Sequence, residues 1–219
     1  MDGAVKPRLL DLFCGAGGAT RGYQDAGFHV IGVDINPHPN YCGDGFIQAD
    51  ALEVLRGNPM IVSVHAIHAS PPCQAFTRAQ KLRGNEHPDL VVSTRELLKE
   101  TGLPYVIENV VGAPLIDPVR LEGQMFPGLR TSRPRLFETN WELIQPRIPE
   151  RPKHTKMGRP TVEGEWMHVV GNFSGVAAGR EAMGIPWMTR AELKEAIPPA
   201  YTQYVGFALR SFLTMAVAA

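Results

Sequence analysis

Cys73 is the residue in this sequence whose setting first suggests chemistry. It lies in HASPPCQAFT, residues 68–77, directly after Pro71 and Pro72. Proline fixes its own φ and restricts the residue before it, so two prolines in series give the cysteine a stiff backbone approach. A thiolate held in this way is a strong nucleophile that needs no metal. The alternative is a small buried hydrophobic residue, as most lone cysteines are.

The other two cysteines do not indicate a metal or disulfide site. Cys14 follows LLDLF and fits a buried position, and Cys42 in PNYCGDG is predicted to be a loop residue. Because the three cysteines are widely spaced and form no CxxC pair, neither a zinc site nor a disulfide framework is predicted. Glu108, at the end of a predicted strand, is a candidate acid to work with Cys73.

A glycine-rich turn and two aspartates indicate a nucleotide-like ligand. Gly15 and Gly17 lie where a strand enters a helix, and glycines there let a ligand approach the backbone closely. A dinucleotide pattern would need glycine where Thr20 stands, so an adenosine-containing cofactor without a pyrophosphate is favoured. Asp34, roughly 20 residues further on, can accept both ribose hydroxyls, or it can be a turn residue. Asp50 is equally suited to cap the helix that follows it.

These candidates fall at the ends of predicted strands. The strands are RLLDLF, FHVIGVD, DGFIQAD, VSVHAIHAS and LPYVIENV, and amphipathic helical segments lie between them. Alternating strands and helices predict an α/β fold, with a Rossmann-like, mostly parallel sheet and helices on both faces. In such sheets ligands bind beyond the carboxyl ends of the strands, so a single active site is predicted at that edge. Two further helices are predicted in residues 189–197 and 199–219.

Composition limits the remaining possibilities. The chain has 219 residues, 44% of them hydrophobic, and a formal net charge of zero, which suits one α/β domain with at most a modest insert. Residues 1–110 contain 9 basic and 12 acidic side chains, whereas residues 120–160 contain 9 basic and 4 acidic ones. Phosphate contacts are therefore predicted in the later stretch, although a solvated basic face is the alternative. Without a cleavable signal or an apolar run of roughly 18 residues, a cytoplasmic location without membrane contact is predicted.

Four motifs resemble those of one enzyme family. In order, they are LLDLFCGAGG, SPPCQAFT, YVIENV and TSRPRLFE, and together they span residues 9–138. They are similar to the motifs of the DNA cytosine-C5 methyltransferases, in particular small members of phage or prokaryotic type. The resemblance implies the S-adenosylmethionine-dependent methyltransferase fold, with S-adenosylmethionine as the cofactor and double-stranded DNA as the partner. It implies no metal and no obligate protein partner.

The resemblance also implies roles for individual residues. The first turn would hold the amino-acid part of the cofactor, Asp34 its ribose, and Ile35 and Asp50 its adenine. The implied cofactor-binding residues are Phe13, Gly15, Gly17, Asp34, Ile35, Asp50 and Pro72. The implied catalytic residues are the nucleophile Cys73, the acid Glu108 and the arginines Arg133 and Arg135, with Gln74 contacting the nucleic acid.

The implied reaction explains the rigid frame around Cys73. C5 of cytosine is a poor nucleophile, and addition of a thiolate to C6 turns the ring into an enamine whose C5 can attack a sulfonium methyl group. A glutamate facing N3 makes C6 more electrophilic by protonation or hydrogen bonding. The base must leave the duplex, at a cost of a few kcal/mol of unstacking. The stretch after Cys73, residues 74–88, is predicted to close over the base.

The sequence departs from the family pattern in three places. Thr131 replaces the glutamine of the arginine motif, and Lys194-Glu195 replace a Gly-Asn pair near the end of the chain. The target-recognition region, long in the family, is reduced to residues 140–179, and the catalytic domain comprises residues 1–139 and 180–219. The basic residues predicted to follow the DNA phosphates are Arg147, Arg151, Lys153, Lys156 and Arg159.

Other functions remain open on the sequence. The short recognition region is compatible with the same chemistry on a tRNA or a free cytidine nucleotide, although the basic segment favours a polymer. A non-catalytic subunit that binds the cofactor is the third possibility, against which the presence of Cys73 and Glu108 argues. A role in restriction-modification fits the resemblance, and the recognised site is not predicted.

Overall fold

The computed structural model describes residues 5–57, 61, 63–72, 90–155, 162 and 164–218. The first half contains β1 Arg8–Leu12, α1 Gly18–Asp25, β2 His29–Asp34, β3 Gly45–Gln48, α2 Ala51–Gly57, β4 Ala66–Ala69, α3 Leu90–Thr101 and β5 Tyr105–Asn109. The second half contains β6 Val119–Leu121, a 3₁₀ helix Gly123–Met125, β7 Arg135–Thr139, α4 Val176–Met183, α5 Arg190–Leu193 and α6 Pro199–Ala218.

Within the described residues, the strands form one seven-stranded sheet in the order β3-β2-β1-β4-β5-β7-β6. The first five strands run parallel to one another, while β7 runs antiparallel to both β5 and β6. The mostly parallel α/β sheet predicted from the sequence is confirmed. β1 pairs with both β2 and β4, so the connections diverge on either side of it, which is where ligands bind in such folds.

Alternation along the strands divides the core between the two faces of the sheet. Leu9, Val106 and Phe137 pack on one face with residues of α1 and α6, such as Tyr23 and Tyr201. On the opposite face, Leu10, Ile67 and Ile107 pack with residues of α2 and α3. Successive side chains of a strand point to opposite faces, so each buried strand contributes to both halves of the core.

The strands β6 and β7 and the helix α4 were not predicted from the sequence. β6 has only three residues, and β7 carries charged side chains at Arg135 and Glu138, so neither shows the apolar pattern of a buried strand. α5 is also shorter than predicted, with four residues and a cap in which the Thr189 side chain accepts a hydrogen bond from the Glu192 N–H. The C-terminal helix was predicted correctly, and it packs on α1.

Candidate active site

The carboxyl ends of β1, β2, β4 and β5 meet at one edge of the sheet, as predicted. β7 joins them from the other direction, because it is antiparallel and its first residues lie where the parallel strands end. In the register, Asn109 at the end of β5 pairs with Leu136. Arg135 therefore lies at the same edge as Glu108, although 27 positions separate them in the printed sequence.

The turn after β1 has the open backbone that a close ligand needs. Phe13, Gly15 and Gly17 all have left-handed φ values, of 58°, 51° and 87°. At Gly17 a Cβ atom would lie 2.8 Å from the Cys42 sulfur, so glycine is required there by space as well as by φ. At Gly15, by contrast, a Cβ would meet no atom of the described structure within 4 Å. Within the described structure, the space beside Gly15 is therefore open.

Asp34 closes the turn at the end of β2. Its Oδ2 accepts a hydrogen bond from the Gly15 N–H at 3.1 Å, and its Oδ1 accepts one from the Asn36 N–H at 2.9 Å. His38 Nε2 lies 3.3 Å from the same Oδ1. Each carboxylate oxygen has two lone pairs, so Asp34 keeps acceptor capacity for a ligand. The next side chain, Ile35, is 62% exposed beside it and offers an apolar surface.

Asp50 caps helix α2. Its Oδ1 accepts hydrogen bonds from the N–H groups of Leu52 at 2.8 Å and Glu53 at 3.2 Å. The capping interpretation of Asp50 is thus confirmed, and its contact with an adenine stays a prediction. The two roles are compatible because the capping bonds use one oxygen of the carboxylate.

Glu108 is a buried carboxyl group at this edge, with 5% of its surface exposed. Arg135 Nε lies 2.9 Å from its Oε1, but the pair is not aligned as a hydrogen bond, and among the described residues this oxygen has no hydrogen-bond partner. Burial raises the pKa of Glu108, while Arg135, a hydrogen bond from Ser70, and Arg133 act against that rise. A carboxyl group with a raised pKa and an unused oxygen is suited to hold a proton for a ligand.

Asn109 connects Glu108 to the loop that leads to Cys73. Its Nδ2 donates a hydrogen bond to the Pro71 carbonyl at 2.9 Å, and the Ser70 N–H donates to the Leu12 carbonyl at 3.1 Å. These bonds fix the start of the loop to β5 and β1. Pro72, predicted to frame both ligands, is the last described residue before Cys73. Cys73, Gln74 and the predicted closing loop, residues 74–88, lie outside the described residues.

Arg133 lies deeper than its predicted catalytic role suggests. Its guanidinium donates to the carbonyls of Ala196 at 2.6 Å, Val169 at 2.8 Å and Lys194 at 2.7 Å. Arg133 is 7% exposed and has a strained φ of 31°, and the Tyr201 hydroxyl donates to its carbonyl. These bonds tie the arginine motif to the C-terminal part of the chain. A direct catalytic contact of Arg133 stays a prediction.

Two features of the site were missed by sequence reasoning. Trp187 donates from its indole N–H to the Ala16 carbonyl at 2.9 Å and so supports the glycine turn from a distant part of the chain. His68 and Ser70, in the β4 segment, form a hydrogen bond of 2.8 Å behind Glu108. A histidine inside an otherwise apolar strand was the available signal for His68. Nothing in the sequence indicates the partner of Trp187.

The basic residues predicted to bind DNA differ in their surroundings. Arg147 is exposed, whereas Arg151 pairs with the buried Glu122 at 3.2 Å and Lys153 Nζ lies 3.6 Å from Glu165. Lys156 and Arg159 lie outside the described residues. Because Arg151 and Lys153 have side chains that are 57% and 83% exposed, both can still reach a phosphate. Their DNA contacts stay predictions.

The predicted recognition segment, residues 140–179, is anchored to the catalytic part at both ends. Trp141 is buried in the core on the α1 face of the sheet. Val169 and Phe173 are buried with Met183 in a third cluster. The predicted boundary after residue 179 falls inside α4, so the segment and the catalytic part share a helix. Its role as a recognition element stays a prediction.

The part of the chain that the structure describes contains neither a metal-binding cluster nor a membrane-spanning helix. No group of three or more His, Cys, Asp or Glu residues there is arranged to hold a metal ion. No described helix combines the length and the apolar character that crossing a membrane requires.

Curated proteins similar to this chain are type II methyltransferases. M.AquIA of Picosynechococcus sp. is 30% identical over 128 residues, which cover 49% of this chain and 50% of that protein. M1.HphI of Haemophilus parahaemolyticus is 34% identical over 86 residues, which cover 33% of this chain and 23% of that protein. The matches thus span half or less of the length of these relatives. No family model matches the chain.

Among solved structures, a protein named as a DNA modification methyltransferase of an E. coli prophage matches with a TM-score of 0.67. The match covers 95% of this chain and 100% of that one, at 13% sequence identity. At this identity the likeness concerns the fold, and the methyltransferase fold predicted from the sequence is confirmed. The predicted similarity to DNA methyltransferases is confirmed by the type II enzymes.

Proposed function

We propose that this protein is a DNA cytosine-C5 methyltransferase that uses S-adenosylmethionine. The observation that carries the proposal is Glu108, a buried carboxyl group with a raised pKa and an oxygen that has no hydrogen-bond partner among the described residues. It stands beside the loop that leads to Cys73, and Asn109 joins the two segments. The similarity to type II methyltransferases supports DNA as the substrate.

The turn after β1 fits the proposed cofactor. Open space lies over Gly15, the Asp34 carboxylate has acceptor capacity for ribose hydroxyls, and Ile35 exposes an apolar side chain where an adenine would lie. Phe13, Gly17, Asp50 and Pro72 complete the proposed cofactor site. When bound, the cofactor supplies an electrophilic methyl group on a sulfonium.

The protein's own residues would prepare the cytosine to accept this methyl group. The Cys73 thiolate adds to C6 while Glu108 gives its proton to N3, so the ring becomes an enamine whose C5 carries the nucleophilic electron pair. Arg135, 2.9 Å from the Glu108 carboxyl, favours its ionised form as the proton leaves. After the methyl group is on C5, water takes the C5 proton, the C6–S bond breaks as the thiolate leaves, and N3 returns its proton to Glu108, which restores the aromatic ring.

Two other functions are compatible with parts of this argument. The same chemistry on a tRNA or a free cytidine nucleotide would use the same Cys73 and Glu108, because the target ring is identical. A subunit that only binds the cofactor would have no use for the buried Glu108, and the energetic cost of burying that group argues against it. The exposed basic residue Arg147 favours a polymer over a free nucleotide.

A methyl-transfer assay distinguishes these functions. The purified chain and labelled S-adenosylmethionine would be tested on duplex DNA, tRNA and dCMP, and we expect transfer to C5 of cytosine in DNA. A duplex containing 5-fluorocytosine should form a covalent adduct with the parent, because fluorine blocks the elimination step. Cys73→Ala should lose transfer and adduct while it still binds the cofactor.

Cys42→Ala is the matched control and should keep both transfer and adduct formation. Turnover by Cys73→Ala near the parent rate would refute the covalent mechanism. Transfer to tRNA or dCMP in preference to DNA would refute the proposed substrate and leave the chemistry intact.

A further inference from the structure

A series of hydrogen-bonded side chains, formed by Tyr23, His68 and Ser70, lies behind Glu108 and is not used by the mechanism above. We call this series the relay. The Tyr23 hydroxyl is 3.0 Å from His68 Nδ1, and His68 Nε2 is 2.8 Å from Ser70 Oγ. Ser70 follows the register pair Ala69–Ile107 and so lies beside Glu108, and as a hydrogen-bond donor its side chain acts to lower the pKa of that carboxyl. Tyr23 and His68 have no exposed surface. The relay therefore connects the core of the sheet with the candidate active site.

The sheet register explains why these residues meet. His68 of β4 pairs with Val106 of β5, and Glu108 lies two residues beyond Val106 on the same face. Ser70 follows His68 by two residues and shares that face. Helix α1 covers this face of the sheet, and the ring of its Tyr23 contacts His68 edge-on at a centroid distance of 5.3 Å.

The ionised state of Glu108 fixes the direction of the hydrogen bonds. When Glu108 is ionised it can only accept, so Ser70 directs its proton to the carboxylate and accepts a bond itself from His68 Nε2–H. His68 Nδ1 is then an acceptor, and the Tyr23 hydroxyl donates to it. Burial lowers the pKa of His68 to about 3 and raises that of Tyr23, so the imidazole stays neutral and the phenol keeps its proton.

We propose that Tyr23, His68 and Ser70 are positioning residues whose one-way series of hydrogen bonds orients the Glu108 carboxyl and stabilises the carboxylate that remains when Glu108 gives its proton to the base. The catalytic meaning of this relay rests on the proposed function. The relay itself does not, because it follows from contacts within the chain. During turnover the proton moves from Glu108 to N3 of the cytosine and returns when the adduct collapses. The three relay residues keep their own protons throughout.

Other charged and titratable groups also act on Glu108. They come from β1, α1, the β7 region and α6, and they are Asp11, Tyr23, Arg133, Arg135 and Tyr201. The two arginines stabilise the carboxylate, whereas Asp11 opposes it when it is ionised. The test must therefore remove the relay without changing these charges, which Ser70→Ala and Tyr23→Phe both do.

The direct test is an NMR titration of the Glu108 side-chain carboxyl carbon in protein labelled with 13C-glutamate. Ser70→Ala should raise the pKa of Glu108 by about one unit, because it removes a hydrogen bond to the charged form. Thr94→Val is the matched control, since it removes a fully buried hydroxyl from α3 on the other face of the sheet, and it should leave the pKa of Glu108 unchanged.

The second measurement is the tautomer of His68, read from the 15N shifts of its ring nitrogens. In the parent, His68 should carry its proton on Nε2 at pH values where Glu108 is ionised. Tyr23→Phe keeps the ring but removes the donor to Nδ1, so it should populate the Nδ1–H form and raise the pKa of Glu108. A parent histidine protonated on Nδ1 would overturn the proposal, as would an unchanged Glu108 pKa in a folded Ser70→Ala.

The pH dependence of methyl transfer links the relay to function. Transfer requires protonated Glu108, so the alkaline limb of the kcat/KM profile should move to higher pH in Ser70→Ala by the same amount as the pKa of Glu108. A merely structural role would lower the rate equally at every pH, and that result would overturn the catalytic part. If Ser70→Ala shifts the pKa of Glu108 but the parent methylates no DNA, the result would support the relay and contradict the proposed function.

Discussion

Two buried glutamates lie on neighbouring strands of this sheet and have opposite surroundings. Glu108 of β5 pairs with Phe137, and Glu138 of β7 pairs with Ile107, so the two carboxyl groups point to opposite faces. Glu138 receives two hydrogen bonds from Arg95, at 2.7 and 2.8 Å, and a third from the Ile116 N–H at 2.8 Å. Both of its oxygens are therefore satisfied, unlike Oε1 of Glu108.

The difference separates a structural carboxylate from the one that the proposed mechanism uses. Burying an ionised group is costly unless it is paired and hydrogen-bonded, and Arg95 meets that condition for Glu138. Arg135 meets it only in part for Glu108, because its ion pair with Oε1 is not aligned as a hydrogen bond. A buried acceptor left without a bond lowers stability, and a ligand that donates to Oε1 would supply the missing partner. The contrast between the two glutamates leads to separate predictions for activity and for stability.

The largest expected effect is that of Glu108→Gln on catalysis. Glutamine keeps the shape but has no proton to give, so kcat for DNA methylation should fall by about 10²–10⁴-fold. The variant should still bind the cofactor and should be at least as stable as the parent at neutral pH. A rate within a few-fold of the parent, measured by labelled-methyl transfer, would contradict the role of Glu108 as the acid.

The stability of Glu108→Gln relative to the parent should depend on pH in a definite direction. Burial raises the folded-state pKa of Glu108 above its ordinary value of 4.5, so the native state holds a proton that the unfolded chain has lost. The contribution of Glu108 to stability is thus fully present below 4.5 and is lost as pH rises through the folded-state pKa. Glu108→Gln should lack this loss, so urea unfolding of both proteins across this window should show the variant gaining on the parent as pH rises.

The second effect is that of Glu138→Gln on stability. Removing one partner of a buried ion pair costs about 3–5 kcal/mol, so Tm should fall by roughly 6–20 °C. Below its own unfolding transition, the variant should methylate at the parent's kcat, because Arg95 and Glu138 lie on the opposite face from Glu108. Equal loss of kcat in a folded Glu138→Gln would remove the distinction between the two glutamates.

The third effect concerns the cofactor side of the site, where Asp34 should act on binding and not on chemistry. Asp34→Ala loses charge-assisted hydrogen bonds worth about 1.5–3 kcal/mol each, so the affinity for S-adenosylmethionine should drop tenfold to several hundredfold. Unchanged affinity for S-adenosylmethionine, measured by calorimetry, would mean that Asp34 only stabilises the backbone turn and does not bind the cofactor.

Asp50→Ser is the companion variant, because serine keeps the cap of α2 while it removes the carboxylate. Reduced cofactor affinity in a fully stable Asp50→Ser would support the predicted adenine contact.

The smallest effect is expected in the predicted recognition segment. Alanine at both Arg147 and Lys153 should reduce the slope of log affinity against log salt by nearly two, at roughly 0.9 per phosphate contact, without changing which sites are methylated. Arg56→Ala, which removes an exposed arginine from α2, is the control and should leave the slope unchanged. An unchanged slope in the double variant would show that these residues do not contact the phosphates.

Most of the parallel half of the fold was predictable from the sequence. β1, β2, β4 and β5 are short apolar runs bounded by glycine, proline or aspartate, and such runs report burial without knowledge of their neighbours. The placement of Gly15, Asp34 and Glu108 at one edge followed from the parallel arrangement alone. β6 and β7 were not predictable in this way, since β6 is very short and the charged residues Arg135 and Glu138 of β7 find their partners in distant segments.

The sequence by itself determined which chemical groups the protein has and which strand ends carry them. Local patterns encode this, because apolar periodicity and turn residues act over a few positions. Only the tertiary structure decided what each group does. Glu108 and Glu138 are both glutamates in strands, and Arg133 and Arg135 are neighbours in one motif, yet their partners differ. Those partners come from other strands and helices, and a buried charge takes its pKa and its role from them.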